Sequence, residues 1–61
     1  MWTIDIRKDG QQFQHVAHDL RSALAVACLM LRDGIAVERV VGPEGAEISA
    51  ETLRSLCDGA G

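Results

Sequence analysis

The sequence has too few cysteines and too few basic residues for several common classes of small protein. It contains two cysteines, Cys28 and Cys57, which form neither a Cys-x-x-Cys pair nor a zinc-type cluster. Two cysteines are too few for a disulfide scaffold, so we expect reduced thiols and a cytoplasmic protein. The six basic residues are scattered and the net charge is −3. Nucleic-acid binding usually needs a basic patch, so nucleic acid is disfavoured as a partner.

Long apolar segments and targeting signals are also missing. The longest apolar run, ALAVACLML at residues 23–31, has nine residues. A helix needs roughly 20 residues to cross a bilayer, so we expect no membrane span. The first ten residues, MWTIDIRKDG, contain no basic segment followed by an apolar one. We therefore expect no signal peptide.

The chain length limits how much core the protein can form. A chain of 61 residues is one domain, and at this size folding buries only about 60% of the surface that the unfolded chain exposes. Such a domain usually needs further support, of which oligomerisation is one source. The sequence contains no linker, repeat or low-complexity stretch. We expect a single domain over residues 1–58 and a flexible tail at 59–61.

The first seventeen residues predict a β-hairpin. Apolar residues alternate with polar ones from Trp2 to Arg7, which is the period of a half-buried strand. Asp9-Gly10 follows, and this pair favours a two-residue type I′ turn. The turn sets the register of the hairpin, which predicts four facing pairs: Lys8 with Gln11, Ile6 with Phe13, Ile4 with His15, and Trp2 with Ala17.

Two helices and two further strands are predicted after the hairpin. Asp19 is a good N-cap for a helix over residues 20–33, and Gly34 a good C-terminal stop. Residues 35–41 predict a third strand, residues 42–45 a turn, and residues 46–48 a short fourth strand. Ser49 then caps a helix over residues 50–57.

These elements predict a small α+β domain of order β-β-α-β-β-α. A right-handed crossover from the second strand leaves the place between strands two and three to strand one. The expected sheet is antiparallel or mixed, in the order 2-1-3-4, with the long helix on one face and a short C-terminal helix. This order of elements resembles several small bacterial domains in plan alone, and the resemblance implies no activity.

The long helix is apolar on more than one side. Stepping about 100° per residue puts five residues on the line that faces the sheet: Ala23, Leu24, Ala27, Cys28 and Leu31. Three further apolar residues fall among the polar ones on the opposite side, with a fourth at its margin: Ala25, Val26, Leu29 and Met30. One sheet cannot cover both sides of a helix, so this surface either stays exposed on a monomer or is covered.

We expect a second copy of the chain to cover that surface. The C-terminal helix with Leu53, Leu56 and Cys57, or a different protein, are the other possible covers. A homodimer is favoured because a domain this small gains most from enlarging its core. The contact is predicted to be carried by Ala25, Val26, Leu29 and Met30, with Trp2 as an outlier. Trp2 is most simply a core residue, and becomes a candidate hot spot if it is exposed.

The second strand is another candidate surface. It carries Gln11, Gln12, Gln14 and His15 but no lysine or proline, the residues that often protect an edge strand. It could therefore accept another strand by β-augmentation, although a short, twisted edge is the simpler reading. An alternative function is nucleic-acid binding by one face of the hairpin, with Arg7, Lys8, Gln12 and Gln14 on phosphates or bases.

No group of residues indicates catalysis, a cofactor or a metal ion. His15 and His18 are three residues apart and would point to opposite faces of a strand. Cys28 reads as a small buried hydrophobe, and Cys57 lies at the wrong end of a helix for thiolate activation. The serines have no recognisable base, and the turn at 42–45 lacks the lysine of a phosphate loop. We therefore expect a non-enzymatic interaction or accessory module without a cofactor.

Overall fold

A computed structural model describes residues 1–60, and its elements follow the predicted order. The predicted α+β class is confirmed, as is the strand order β2-β1-β3-β4, in which every neighbouring pair is antiparallel. Gly61, the last residue of the predicted tail, lies outside the described residues. The elements are β1 (Trp2–Lys8), β2 (Gln11–Ala17), α1 (Leu20–Arg32), β3 (Ala36–Val41), β4 (Glu47–Ser49) and α2 (Ala50–Ala60), with a short 3₁₀ turn at Pro43–Gly45.

The β1–β2 hairpin has the predicted turn and register. Asp9 and Gly10 both have positive φ, 53° and 79°, as a type I′ turn requires. The strands pair from Lys8 opposite Gln11 to Trp2 opposite Ala17. Residues that face each other across strands lie on the same side of a sheet, so the even residues of β1 and the odd residues of β2 share the side that carries the helices.

α1 begins and ends at the predicted signals. The Asp19 carboxylate accepts a hydrogen bond of 2.8 Å from the Ser22 amide. This bond lowers the pKa of Asp19, because it stabilises the charged carboxylate. At the other end Gly34 has a φ of 82°, and the Ile35 amide donates to the Met30 carbonyl at 2.9 Å. This is the left-handed glycine termination that the sequence predicts.

A β-bulge in β3 places two valines in the core. Asp5 pairs with Arg39 and Ile6 pairs with Val37, so Glu38 has no partner on β1. Without the bulge, two residues three positions apart would point to opposite faces. With it, Val37 and Val40 both lie buried against the helices. The core also contains Ile4, Ala17, Ala23, Ala27 and Leu53.

The C-terminal part starts as predicted, with small differences in its bounds. The Ser49 hydroxyl accepts a hydrogen bond of 3.2 Å from the Thr52 amide and so caps α2. β3 begins at Ala36 and β4 at Glu47, each one residue later than predicted. α2 extends to Ala60, three residues beyond its predicted end. Leu53, on the first turns of α2, is fully buried over β3 and β4.

Cys28 and Cys57 form a disulfide bond, so the prediction that both cysteines are reduced is wrong. Their Cα atoms are 5.6 Å apart, a distance that a disulfide can span. The sequence pattern placed Cys28 on the side of α1 that faces the sheet. In the structure Cys28 is turned toward α2, and Cys57 meets it from there. The bond joins the two helices across a separation of 29 residues.

Candidate interaction surface

The two flanks of α1 have different surroundings. α2 packs on α1 and contacts β3 and β4, whereas α1 also contacts β1 and β2. Cys28 marks the flank of α1 that faces α2. Val26 lies two positions earlier, about 200° away around the helix. Val26 therefore marks the opposite flank, which lies on the β2 side of the sheet.

The structure divides the predicted α1 contact residues into two groups. Ala25 and Leu29 are exposed, and the Leu29 side chain retains 56% of its accessible surface. Val26 and Met30 are half-buried and pack against the core. Only Leu29 is therefore a large side chain without cover. The four residues still form one continuous stretch, because Val26 and Met30 border Leu29 on the β2 side of α1.

Trp2 lies at a different place. It is half-buried, packs against the core, and its ring lies against Gly42. A Cβ atom at Gly42 would come within 2.5 Å of this ring, so the packing requires glycine there. Trp2 pairs with Ala17 near the start of α1, whereas Leu29 lies nine residues along that helix. The structure does not bring Trp2 together with the α1 residues, and its interface role stays a prediction.

β2 is an exposed edge strand along most of its length. Six of its seven residues are exposed, and Ala17 alone is buried. Phe13 retains 46% of its surface on the side that carries the helices, and Val16 retains 59% on the opposite side. Exposed aromatic and β-branched side chains on an edge strand are typical of a pairing surface. Phe13 of β2 therefore extends the apolar surface from the flank of α1 to the edge of the sheet.

The side of the sheet without helices carries a polar network around Asp5. Asp5 lies on central strand β1 and is only 3% exposed. Its carboxylate accepts hydrogen bonds from Gln14 Nε2 at 3.1 Å and from Arg39 Nε at 2.7 Å. The bond to Asp5 raises the pKa of the Arg39 guanidinium. Arg39 also lies 3.7 Å from Glu47 on β4. Both oxygens of this buried carboxylate therefore have a donor.

Sequence reasoning did not find this network. The alternation of β1 puts Asp5 on its polar side, which normally means exposure to water. The predicted strand order was the available signal, because it makes β1 central and therefore gives Asp5 a neighbour on each side. The network is a structural feature of the sheet, since it gives both oxygens of the buried Asp5 carboxylate a donor.

Three of the four residues predicted for nucleic-acid binding share one side of the sheet. Arg7, Gln12 and Gln14 lie on the side without helices, while Lys8 lies on the other. Arg7 is 3.5 Å from Glu38, and Gln14 donates to Asp5. The same side also carries Glu47, so the cationic and amide groups there are interspersed with carboxylates. Nucleic-acid binding through the hairpin stays a prediction without a specific observation in its favour.

Within the part of the chain that the structure describes, no three His, Cys, Asp or Glu side chains come together as a metal site. His15 is an exposed residue of β2, and His18 lies between β2 and α1. Two open depressions, of about 510 and 500 Å³, adjoin the segment Gly34 to Ala36. The first is lined by the disulfide with Arg32, Arg54 and Asp58, and the second by residues of the β1–β2 turn. Neither lining includes a histidine, a serine or a free thiol.

No protein-family model matches the chain, and no curated protein and no solved structure matches it. Across residues 1–60, no helix is both long enough and apolar enough to cross a membrane.

Proposed function

We propose that this protein is a non-enzymatic interaction or accessory module that associates with itself through the outer face of α1. The observation that carries the proposal is the exposed Leu29, next to the half-buried Val26 and Met30, on the flank of α1 that α2 leaves uncovered. Ala25 is exposed one helical turn before Leu29, and its small side chain allows another chain to approach closely. The other element of the chain that could cover this surface is α2. It lies on the opposite flank of α1.

Burial of apolar surface favours an interface at this place. Burial of a leucine side chain contributes about 1.5–3 kcal/mol relative to leaving it exposed. The core of the described chain is small, since its largest fully buried side chains are Ile4, Leu53 and Val40. Extending this core across a second copy adds apolar burial at little further cost in chain entropy.

The variant Leu29→Glu tests the proposal. A charge within the apolar contact should weaken dimerisation about tenfold or more, because a glutamate there must be desolvated. The measurement is the mass from light scattering over a dilution series. Leu56→Glu is the matched control, because Leu56 is 47% exposed and lies about 100° around α2 from Cys57, which faces α1.

Equal dissociation constants for the two variants would overturn the proposal, as would a wild-type protein that stays monomeric at every concentration. Far-UV circular dichroism of both variants checks that each is folded. A leucine that is already exposed should be replaceable without loss of the fold.

A cytoplasmic location stays a proposal. The prediction rested partly on reduced cysteines, and the bond between Cys28 and Cys57 removes that part. Disulfides persist mainly in oxidising compartments. Alkylation of thiols in freshly lysed cells, followed by mass spectrometry, distinguishes the two cases. Alkylation of both cysteines would support a cytoplasmic location. The absence of any alkylated cysteine would contradict it.

A further inference from the structure

We infer that a second copy of this chain pairs with the first along β2, so that two sheets join into one of eight strands around a two-fold axis at Gln14. The inference rests on the proposed self-association and specifies its geometry. The occupant of the β2 edge is thus β2 of another copy, in antiparallel orientation.

The hairpin determines which backbone groups of β2 are free. In a two-residue hairpin the residues that flank the turn, Lys8 and Gln11, exchange hydrogen bonds with each other. Hydrogen-bonded and non-hydrogen-bonded pairs then alternate along the strands. Gln11, Phe13 and His15 therefore direct their amide and carbonyl groups toward β1. Gln12, Gln14 and Val16 direct theirs to the open edge.

These free groups restrict how two copies can pair. In an antiparallel ladder, the two residues of a hydrogen-bonded pair both direct their groups at the partner strand. An even-numbered residue of one β2 must therefore face an even-numbered residue of the other. Facing residues lie on the same side of the sheet, so both α1 helices lie on one side of the joined sheet. Their uncovered flanks then face each other.

A two-fold axis at Gln14 pairs the largest number of free backbone groups of β2. With this axis Gln14 faces its own copy, and Gln12 faces Val16 of the second copy on each side of it. Three residue pairs then each exchange two hydrogen bonds. An axis at Phe13 or at His15 leaves only two such pairs. The strand also carries no Lys, Arg, Asp or Glu, so no like charges meet along the join.

The same axis brings the apolar surfaces together. Phe13 of each copy lies opposite His15 of the other, on the side that carries the helices. Gln14 lies three residues before the end of β2, about 10 Å, and Ala27 lies seven residues after the start of α1, also about 10 Å. Measured along the strand direction, the axis therefore lies level with the middle of both α1 helices. Above the Phe13 and His15 pairs, apolar side chains of α1 lie on both sides of the axis. These are Val26, Leu29 and Met30 of each copy.

Two double variants test the register through the predicted facing of positions 12 and 16. Gln12→Glu with Val16→Lys places opposite charges across the join at both places. Gln12→Glu with Val16→Glu places like charges there. Both positions are exposed in the single chain, and Gln12 faces Arg7 on β1, so both variants should fold. We expect the like-charge variant to dimerise about tenfold or more weakly than the opposite-charge one, with the difference shrinking at high salt.

The outcomes separate this inference from the proposed function. If Leu29→Glu weakens the dimer while the two double variants dimerise equally well, the self-association stands and the β2 pairing is wrong. If wild type is monomeric throughout, both are wrong. Crosslinking gives a second readout, because Gln14→Cys places two thiols on facing residues across the axis, within reach of a short bifunctional thiol reagent. Gln12→Cys should not crosslink, since its two copies would lie about 14 Å apart. Crosslinking at position 12 rather than 14 would overturn the register.

Discussion

The two edges of the sheet differ in how they are protected. β4 has three residues, carries the charged Glu47, and leads directly into α2 through Ser49. β2 has seven residues, carries no Lys, Arg, Asp or Glu, and has no proline and no bulge where it pairs with β1. Short length, charge and a covering helix are devices that stop an edge strand from pairing with another chain. β4 has the first two of these devices and β2 has neither, while both strands contact a helix.

This difference indicates where the chain depends on a partner. The disulfide and α2 consolidate the half of the molecule that contains β3 and β4, within a single copy. The half that contains β2 leaves backbone donors, Phe13 and the Leu29 flank of α1 uncovered. An unprotected edge strand makes a protein prone to aggregation. Such a strand offers no advantage to a protein that functions as a monomer. We therefore interpret the unprotected β2 as an interface.

Loss of the disulfide should have the largest effect, and should fall on the protected half. Closing a loop of about 30 residues stabilises a protein by roughly 3–4 kcal/mol. We expect reduction, or the pair Cys28→Ala and Cys57→Ala, to lower the free energy of unfolding by about this much, which is a large share for so small a domain. Urea denaturation with and without reductant measures it. Hydrogen exchange should rise first in β4 and α2, and equal stability in both conditions would contradict the account.

Loss of the Arg39 guanidinium should have the next largest effect. Arg39→Met leaves the buried Asp5 carboxylate with Gln14 as its remaining donor. The free energy of unfolding should fall by about 1–3 kcal/mol, the cost of a buried acceptor that is short of a partner. Arg7→Met is the control, because Arg7 and Glu38 form an exposed pair at 3.5 Å, and such pairs contribute about 0–1 kcal/mol. Equal effects of the two substitutions would show that Asp5 does not need Arg39.

The smallest expected effect is at Asp19, where the hairpin meets α1. The folded protein lowers the pKa of Asp19, so the unfolded chain binds a proton there more readily. Its stabilising contribution is complete above the ordinary carboxyl pKa, and is lost as the pH falls through the lowered value. Asp19→Ala should lower Tm slightly at neutral pH. It should leave Tm unchanged at a pH below the lowered pKa of Asp19. Thermal melts of the wild type and of Asp19→Ala, from neutral to acid pH, measure this difference in Tm. A difference that persists below the lowered pKa of Asp19 would contradict the prediction.

The hairpin and α1 could be predicted because their signals are local. Asp9-Gly10 fixes the turn and therefore the register, and Asp19 and Gly34 fix the ends of the helix. The strand order followed from the handedness of the crossover and from the place left for β1. These features depend on neighbours within a few residues or on general rules of chain topology.

The features that were missed depend on contacts between distant elements. The disulfide required the position of α2 relative to α1, which no residue near Cys28 or Cys57 encodes. The burial of Asp5 required Arg39, and both valines of β3 reach the core only through the bulge at Glu38. The candidate surface was predicted in part, since Leu29 is exposed as expected while Trp2 lies against Gly42. The α1 pattern gave no information on which flank α2 would cover.

Hydrogen exchange at the β2 edge tests the central claim most directly. The amides of Gln12, Gln14 and Val16 should exchange slowly at a concentration where light scattering gives twice the 6.6 kDa mass of the chain. They should exchange fast on dilution to the monomer, while those of Phe13 and His15, which face β1, stay protected in both states. Fast exchange of the three even-numbered amides in a protein of dimeric mass would contradict the account.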